Sequence, residues 1–135
     1  MSHTFGSADV LPQSLVCSWE EWGTDAAWVQ VAGELDLATA PALEQALRGA
    51  ELRARLVALD LRELTFMDSG GAHVIVHAGI RAQHAGRRLV VLRGPAQVDR
   101  FLELSGASEV LEIVDVTGGE PAVQVLRQLN TADPS

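Results

Sequence analysis

Residues Arg55 to Arg88 read RLVALDLRELTFMDSGGAHVIVHAGIRAQHAGRR, and a change of period inside this stretch decides the fold. Leu56-Val57-Ala58-Leu59-Asp60-Leu61 is a compact apolar run of strand length. Such a run suits a strand covered on both faces, as in a parallel sheet. After a short linker comes Asp68-Ser69-Gly70-Gly71. Beyond it Ala72, Ile75, Val76, Gly79 and Ile80 fall at i, i+3, i+4, i+7 and i+8, one stripe of an amphipathic helix. Gly86 can end that helix. Asp68 and Ser69 therefore stand at its start, where capping oxygens are favoured and amide N–H groups lie unpaired.

That placement leaves three readings of Ser69. One is an N-cap serine, contributing about 1 kcal/mol and no function. Another is a nucleophile, since Asp68-Ser69-Gly70-Gly71 looks like the serine-protease string GDSGG with Met67 in place of the first glycine. The stretch falls short of the G-x-S-x-G elbow, however, and no His–Asp pair announces itself. The third is a phosphate acceptor, whose phosphate would meet helix amides and the positive dipole end beside two glycines that leave the backbone open.

Working outward, the chain of 135 residues makes one domain, with 47% apolar and 21% charged residues, ordinary values for a globular protein. A net charge of −8 argues against a nucleic-acid surface and suits docking on a basic protein partner. All ten basic residues are arginine, which excludes lysine Schiff-base chemistry and the phosphate-binding lysine of a P-loop. Cys17 stands alone, so neither an internal disulfide nor a thiolate metal cage is available. Neither a signal peptide nor an apolar run near the ~20 residues of a membrane span is present, which points to the cytoplasm and no membrane contact.

Residues 1–13 mix Ser, His, Gly, Asp and Pro without periodicity and read as a flexible arm; the folded domain runs over 14–130, and 131–135 is a polar tail. Two alternating runs, Ser14–Trp22 and Ala27–Leu35, flank the turn residues Gly23-Thr24-Asp25 and read as an antiparallel hairpin. Trp19, Trp22 and Trp28 are expected to cover a sheet face. Asp36 can cap a turn before a first helix, with Thr39 as N-cap, Pro41 in the first turn and Leu43, Ala46, Leu47, Ala50 and Leu52 as its stripe. Leu89–Leu92 is a further buried strand, with Arg87 and Arg88 as solvated residues at its start. A helix after Gly94-Pro95 carries Val98, Phe101 and Leu102 and ends at Gly106. Val110–Val114 is a short strand, and a last helix after Pro121 turns Val125, Leu126 and Leu129 inward. The order β-β-α-β-α-β-α-β-α implies an α/β fold, a mixed sheet of four to five strands with about four helices packed against it.

His73 and His77 are four residues apart, a spacing that sets two imidazoles on one helix face, and His84 lies seven further on. Without the glutamate of H-E-x-x-H or an evident third ligand, the pair reads as a solvated face and no metal is expected. His73 also lies one turn after Ser69, within reach of a partner or a phosphate there.

Gly33-Glu34-Leu35-Asp36, Leu59-Asp60-Leu61, Thr65-Phe66-Met67-Asp68-Ser69 with Gly71, and Phe101-Leu102-Glu103-Leu104-Ser105-Gly106 follow one another in the order and spacing of a known family. Over residues 14 to 128 the sequence resembles the STAS-domain anti-sigma factor antagonists of bacteria. Gly70 departs from the pattern, where the family usually has Ser or Thr. The resemblance implies a STAS-like fold with helices on one face, and phosphorylation on the serine after the aspartate, here Ser69. It implies a partner-binding surface of Asp36, Asp68, Ser69, Gly70, Gly71 and His73, and a non-enzymatic protein without cofactor. Its partners would be an anti-sigma factor that is also a serine protein kinase, and a phosphatase. The alternative is a non-switching STAS module in a larger assembly, such as a stressosome or a lipid-transport complex.

Overall fold

The computed structural model describes residues 2–6, 15–116 and 119–131, with side chains for 15–116 and 119–129. Six strands lie in one sheet in chain order: β1 (Ser2–Gly6), β2 (Leu15–Trp22), β3 (Ala26–Leu35), β4 (Leu56–Met67), β5 (Arg88–Leu92) and β6 (Glu112–Val114). The pairs β1–β2 and β2–β3 are antiparallel, whereas β3–β4, β4–β5 and β5–β6 are parallel. Helices α1 (Ala40–Glu51), α2 (Ser69–His84), α3 (Ala96–Leu104) and α4 (Ala122–Thr131) complete the α/β fold. The mixed sheet with four helices is the expected one.

Three features correct the sequence reading. Residues 2–6 pair with β2 as β1, making a sixth strand where a flexible arm is expected; the rest of that arm lies outside the described residues. An added strand needs only the unpaired N–H and C=O groups of a sheet edge, which leave no hydrophobic period to read. The linker after Leu61 is likewise strand: β4 continues to Met67, and its pairing with β3 shifts between Gln30 and Ala32 and again between Gly33 and Glu34. Such bulges interrupt alternation without ending the strand.

The third correction concerns the layers. Val57, Leu59 and Leu61 of β4 face one way, into a core shared with Leu43 and Leu47 of α1, Ile75 of α2 and Val98 and Leu102 of α3. Leu56 and Ala58 face the other way, into a smaller core with Trp28, Val90 and Val125, Leu126 and Leu129 of α4. The helices therefore occupy both faces, with α4 alone on the second. Burial of β4 on both sides explains its unbroken apolar run. Trp19 and Trp28 are both buried, under opposite layers, and Trp22 is half-buried.

Arginines brace the layers on both faces of the sheet. The buried Asp60 receives Arg62 at both oxygens, each at 2.9 Å, and Arg62 reaches on to the Glu120 carbonyl before α4. The hydrogen bond to Asp60 leads in raising the Arg62 pKa above its ordinary value. Arg88 pairs with Glu112 at 2.6 Å and donates to the Leu129 carbonyl at 2.8 Å, while Arg87 donates to the Glu51 carbonyl at 2.9 Å. Both are half-buried braces, not solvated residues. Leu52 lies just past α1 and is exposed, because nine residues after Leu43 it stands on the side of the helix opposite the buried stripe.

Candidate functional site

The apolar end of β4 delivers Asp68 to the start of α2. Its N–H donates to the Leu35 carbonyl at 3.1 Å, which prolongs the β3–β4 pairing by one step. Extended backbone at Asp68 (φ −111°, ψ −175°) turns its carboxylate over the first helical turn. One oxygen accepts from the Gly71 N–H at 3.1 Å and the other from the Leu37 N–H at 3.3 Å. Asp68 is therefore the N-cap and also the link between α2 and the β3–α1 loop. Ser69 is the first helical residue, and it is exposed. The N-cap reading of this serine fails because the aspartate before it already performs that role.

The two glycines that follow serve close approach. A Cβ on Gly71 would lie 2.9 Å from the Leu35 carbonyl oxygen, so only glycine lets α2 meet the end of β3. Gly71 is buried and contributes to the site through this packing, not as a contact surface. A Cβ on Gly70 would lie 3.1 Å from the Leu37 Cα, so the loop presses on the first turn of α2 at the position where a hydroxyl residue is usual.

Asp36 and Thr39 shape that loop. The Asp36 N–H donates to Thr39 Oγ1 at 2.9 Å, and the Thr39 N–H donates to Asp36 Oδ1 at 3.0 Å. Thr39 is buried at the N-cap position of α1, yet its hydroxyl turns back to the Glu34 carbonyl at 3.0 Å instead of capping the helix. Asp36 is half-buried, with one carboxylate oxygen committed to this box. The loop presents Leu37, which is 76% exposed.

Between the loop, α1 and α2 runs a groove of about 720 Å³, floored by Ala40, Gly70 and Val74 and flanked by Leu37, Pro41, Ser69 and His73. Its far end is closed by charge. Arg81 clasps Glu51 at 2.7 Å and Glu44 at 3.2 Å, and Glu44 also takes Arg48 at 3.0 Å. The hydrogen bond to Glu51 leads in raising the Arg81 pKa above its ordinary value. His73 and His77 are exposed, their ring centroids 4.1 Å apart and their planes inclined by 44°. The buried side of α2 is Ala72, Ile75, Ala78, Gly79 and Ala82. Ile80 is exposed, because it stands about 140° round the helix from the buried Ile75.

Asp68, Ser69, Gly70 and His73 thus share one surface, with Asp36 at its margin. Leu37 and Pro41 join them unforeseen; the available signal was a leucine directly after a turn aspartate, where the apolar alternation has ended. Among the described residues no group of three or more His, Cys, Asp or Glu side chains is placed to hold a metal ion. Burial pushes the Cys17 thiol up to about 12, which makes it an inert core group. No helix among the described residues is long and apolar enough to cross a membrane.

Residues 20–115 match the family model described as "Mlab, STAS domain". The chain is 34% identical over 100 residues to the anti-sigma-B factor antagonist of Listeria monocytogenes, covering 73% of this chain and 88% of that protein. Its fold matches the anti-sigma factor antagonist SpoIIAA in its unphosphorylated form with a TM-score of 0.68, at 18% identity over 87% of this chain and 98% of that one. The phosphorylated form of the Bacillus cell fate determinant SpoIIAA matches with a TM-score of 0.65, at 16% identity over 84% and 98% of the two chains. With the family motifs, the mixed sheet and the aspartate-capped serine helix all in place, this chain belongs to the STAS-domain family of anti-sigma factor antagonists.

Proposed function

We propose that the protein acts by partner switching. Its unphosphorylated surface around Asp36, Asp68, Ser69, Gly70 and His73 binds an anti-sigma factor that is also a serine kinase, and a sigma factor is released. The kinase, using its own ATP and Mg²⁺, phosphorylates Ser69, and a phosphatase resets the switch. The chain itself is a binding protein, not an enzyme. The observation that carries this reading is the exposed Ser69 at the first position of α2, relieved of capping by Asp68.

Phosphate adds about −1.5 to −2 charge. Within the protein that charge is tolerated, since the first turn of α2 holds no acidic side chain and its amides favour an anion. At an interface it meets Asp36 and Asp68 and lacks a partner once buried, so release follows from repulsion and bulk. The groove supplies the complementary part, with exposed Leu37 as an apolar anchor beside the serine.

The test is labelling and capture with the cognate kinase and ATP. Ser69→Ala is expected to bind the kinase and take no label, and Ser69→Asp to bind poorly. Equal labelling of Ser69→Ala and wild type would show that another residue is the acceptor.

A further inference from the structure

We infer that His73, backed by His77, is a built-in counter-ion for a phosphate on Ser69. The inference rests on the phosphate-acceptor reading above and names the group of this chain that would hold the phosphate. Ser69 and His73 are related by i, i+4 on α2, so they are neighbours on one helix face, and both line the groove. The His77 ring meets the His73 ring from the following turn, 4.1 Å between centroids, which limits the directions His73 can take.

The carboxylates and guanidinium groups around this face already have hydrogen-bond or ion-pair partners within the fold. On α1, Glu44 is engaged by Arg48 and by Arg81 of α2, and Arg81 is further held by Glu51. At the cap, both Asp68 oxygens accept backbone N–H groups, and in the loop Asp36 is tied to Thr39. Among the described residues no ion pair is formed by His73 or His77. A phosphate on Ser69 would therefore meet the amides of the first turn and, one turn along, an imidazole whose protonated form donates N–H to it. Dianionic phosphate and imidazolium stabilise one another, so His73 favours the dianionic form of a phosphate on Ser69.

Phosphoserine installed at position 69 by codon-directed synthesis tests this without any kinase. The second ionisation of the phosphate is followed by ³¹P NMR in the modified wild type and in its His73→Gln, His77→Gln and His84→Gln variants, each checked for fold by circular dichroism. In the wild type the midpoint is expected about 0.5 pH unit below that of His73→Gln, because a neighbouring cation favours the dianion. His77→Gln should fall between the two, His84→Gln should match wild type, and His73→Lys should restore the low midpoint. Identical midpoints in wild type and His73→Gln would overturn the inference. Failure of kinase labelling at Ser69 would instead strike the switch itself, and the two outcomes are read separately.

Discussion

The two faces of the sheet are built on different principles. The three-helix face is assembled through small residues: Gly71 admits Leu35, Gly79 admits Leu111, and Asp68 closes the helix start through backbone N–H groups. The α4 face has a smaller core and is secured by arginines that reach carboxylates and carbonyls, Arg62 to Asp60 and Glu120, Arg88 to Glu112 and Leu129. The first arrangement leaves a serine exposed at the start of α2. The second fixes a helix far from that surface. Contact geometry positions the serine, while ion pairs close the far end of its groove and also hold the opposite layer.

Breaking the charged side should have the largest effect. Arg62→Ala leaves Asp60 buried without its guanidinium and should cost about 3 kcal/mol in urea unfolding, with α4 losing hydrogen-exchange protection before α2 does. Equal loss in both helices would mean that the two faces are one cooperative unit. Replacing both partners, as in Asp60→Leu with Arg62→Met, should recover most of the loss.

Next comes the packed side. Gly71→Ala places a methyl group against the Leu35 carbonyl and should cost about 2 kcal/mol, and chemical shifts of Ser69 and Leu37 should move while those of α4 stay still. Asp68→Ala removes the cap and the bond to Leu37 at once, for about 1.5 kcal/mol, whereas Asp68→Asn should retain most of the stability because asparagine also caps.

The smallest effect, read between pH 9 and 10, is alkaline. The Cys17 thiol is raised from 9.0 to about 12 by burial, so the fold binds its proton more tightly than the unfolded chain does. Stability from this group is complete below pH 9 and is lost as pH rises from 9 towards 12, by about 1 kcal/mol between pH 9 and 10. Cys17→Val should flatten that part of the pH profile, and an unchanged slope would count against a buried thiol.

Much of this was legible in the chain because period and composition are local. The run Leu56–Leu61 was strand and the change of period after Gly71 was helix, since both follow from which residues can be buried together at spacings of two or near 3.6. The serine after the aspartate was legible as a helix-start residue, and the family motifs as a resemblance. Beyond that, residues far apart in sequence had to meet. Bulges carried β4 through residues that read as a linker, backbone pairing alone added β1, and α4 crossed to the second face. That Asp68 and not Ser69 caps α2 shows only in the fold, where the same carboxylate also accepts from the N–H of Leu37, thirty-one residues upstream. Sequence by itself determined the elements and the chemistry carried at the start of α2, because side-chain size and polarity act on near neighbours. Tertiary structure alone decided which oxygen is occupied and which is left exposed, because that depends on a loop pressed against Gly70 where no side chain stands in the way.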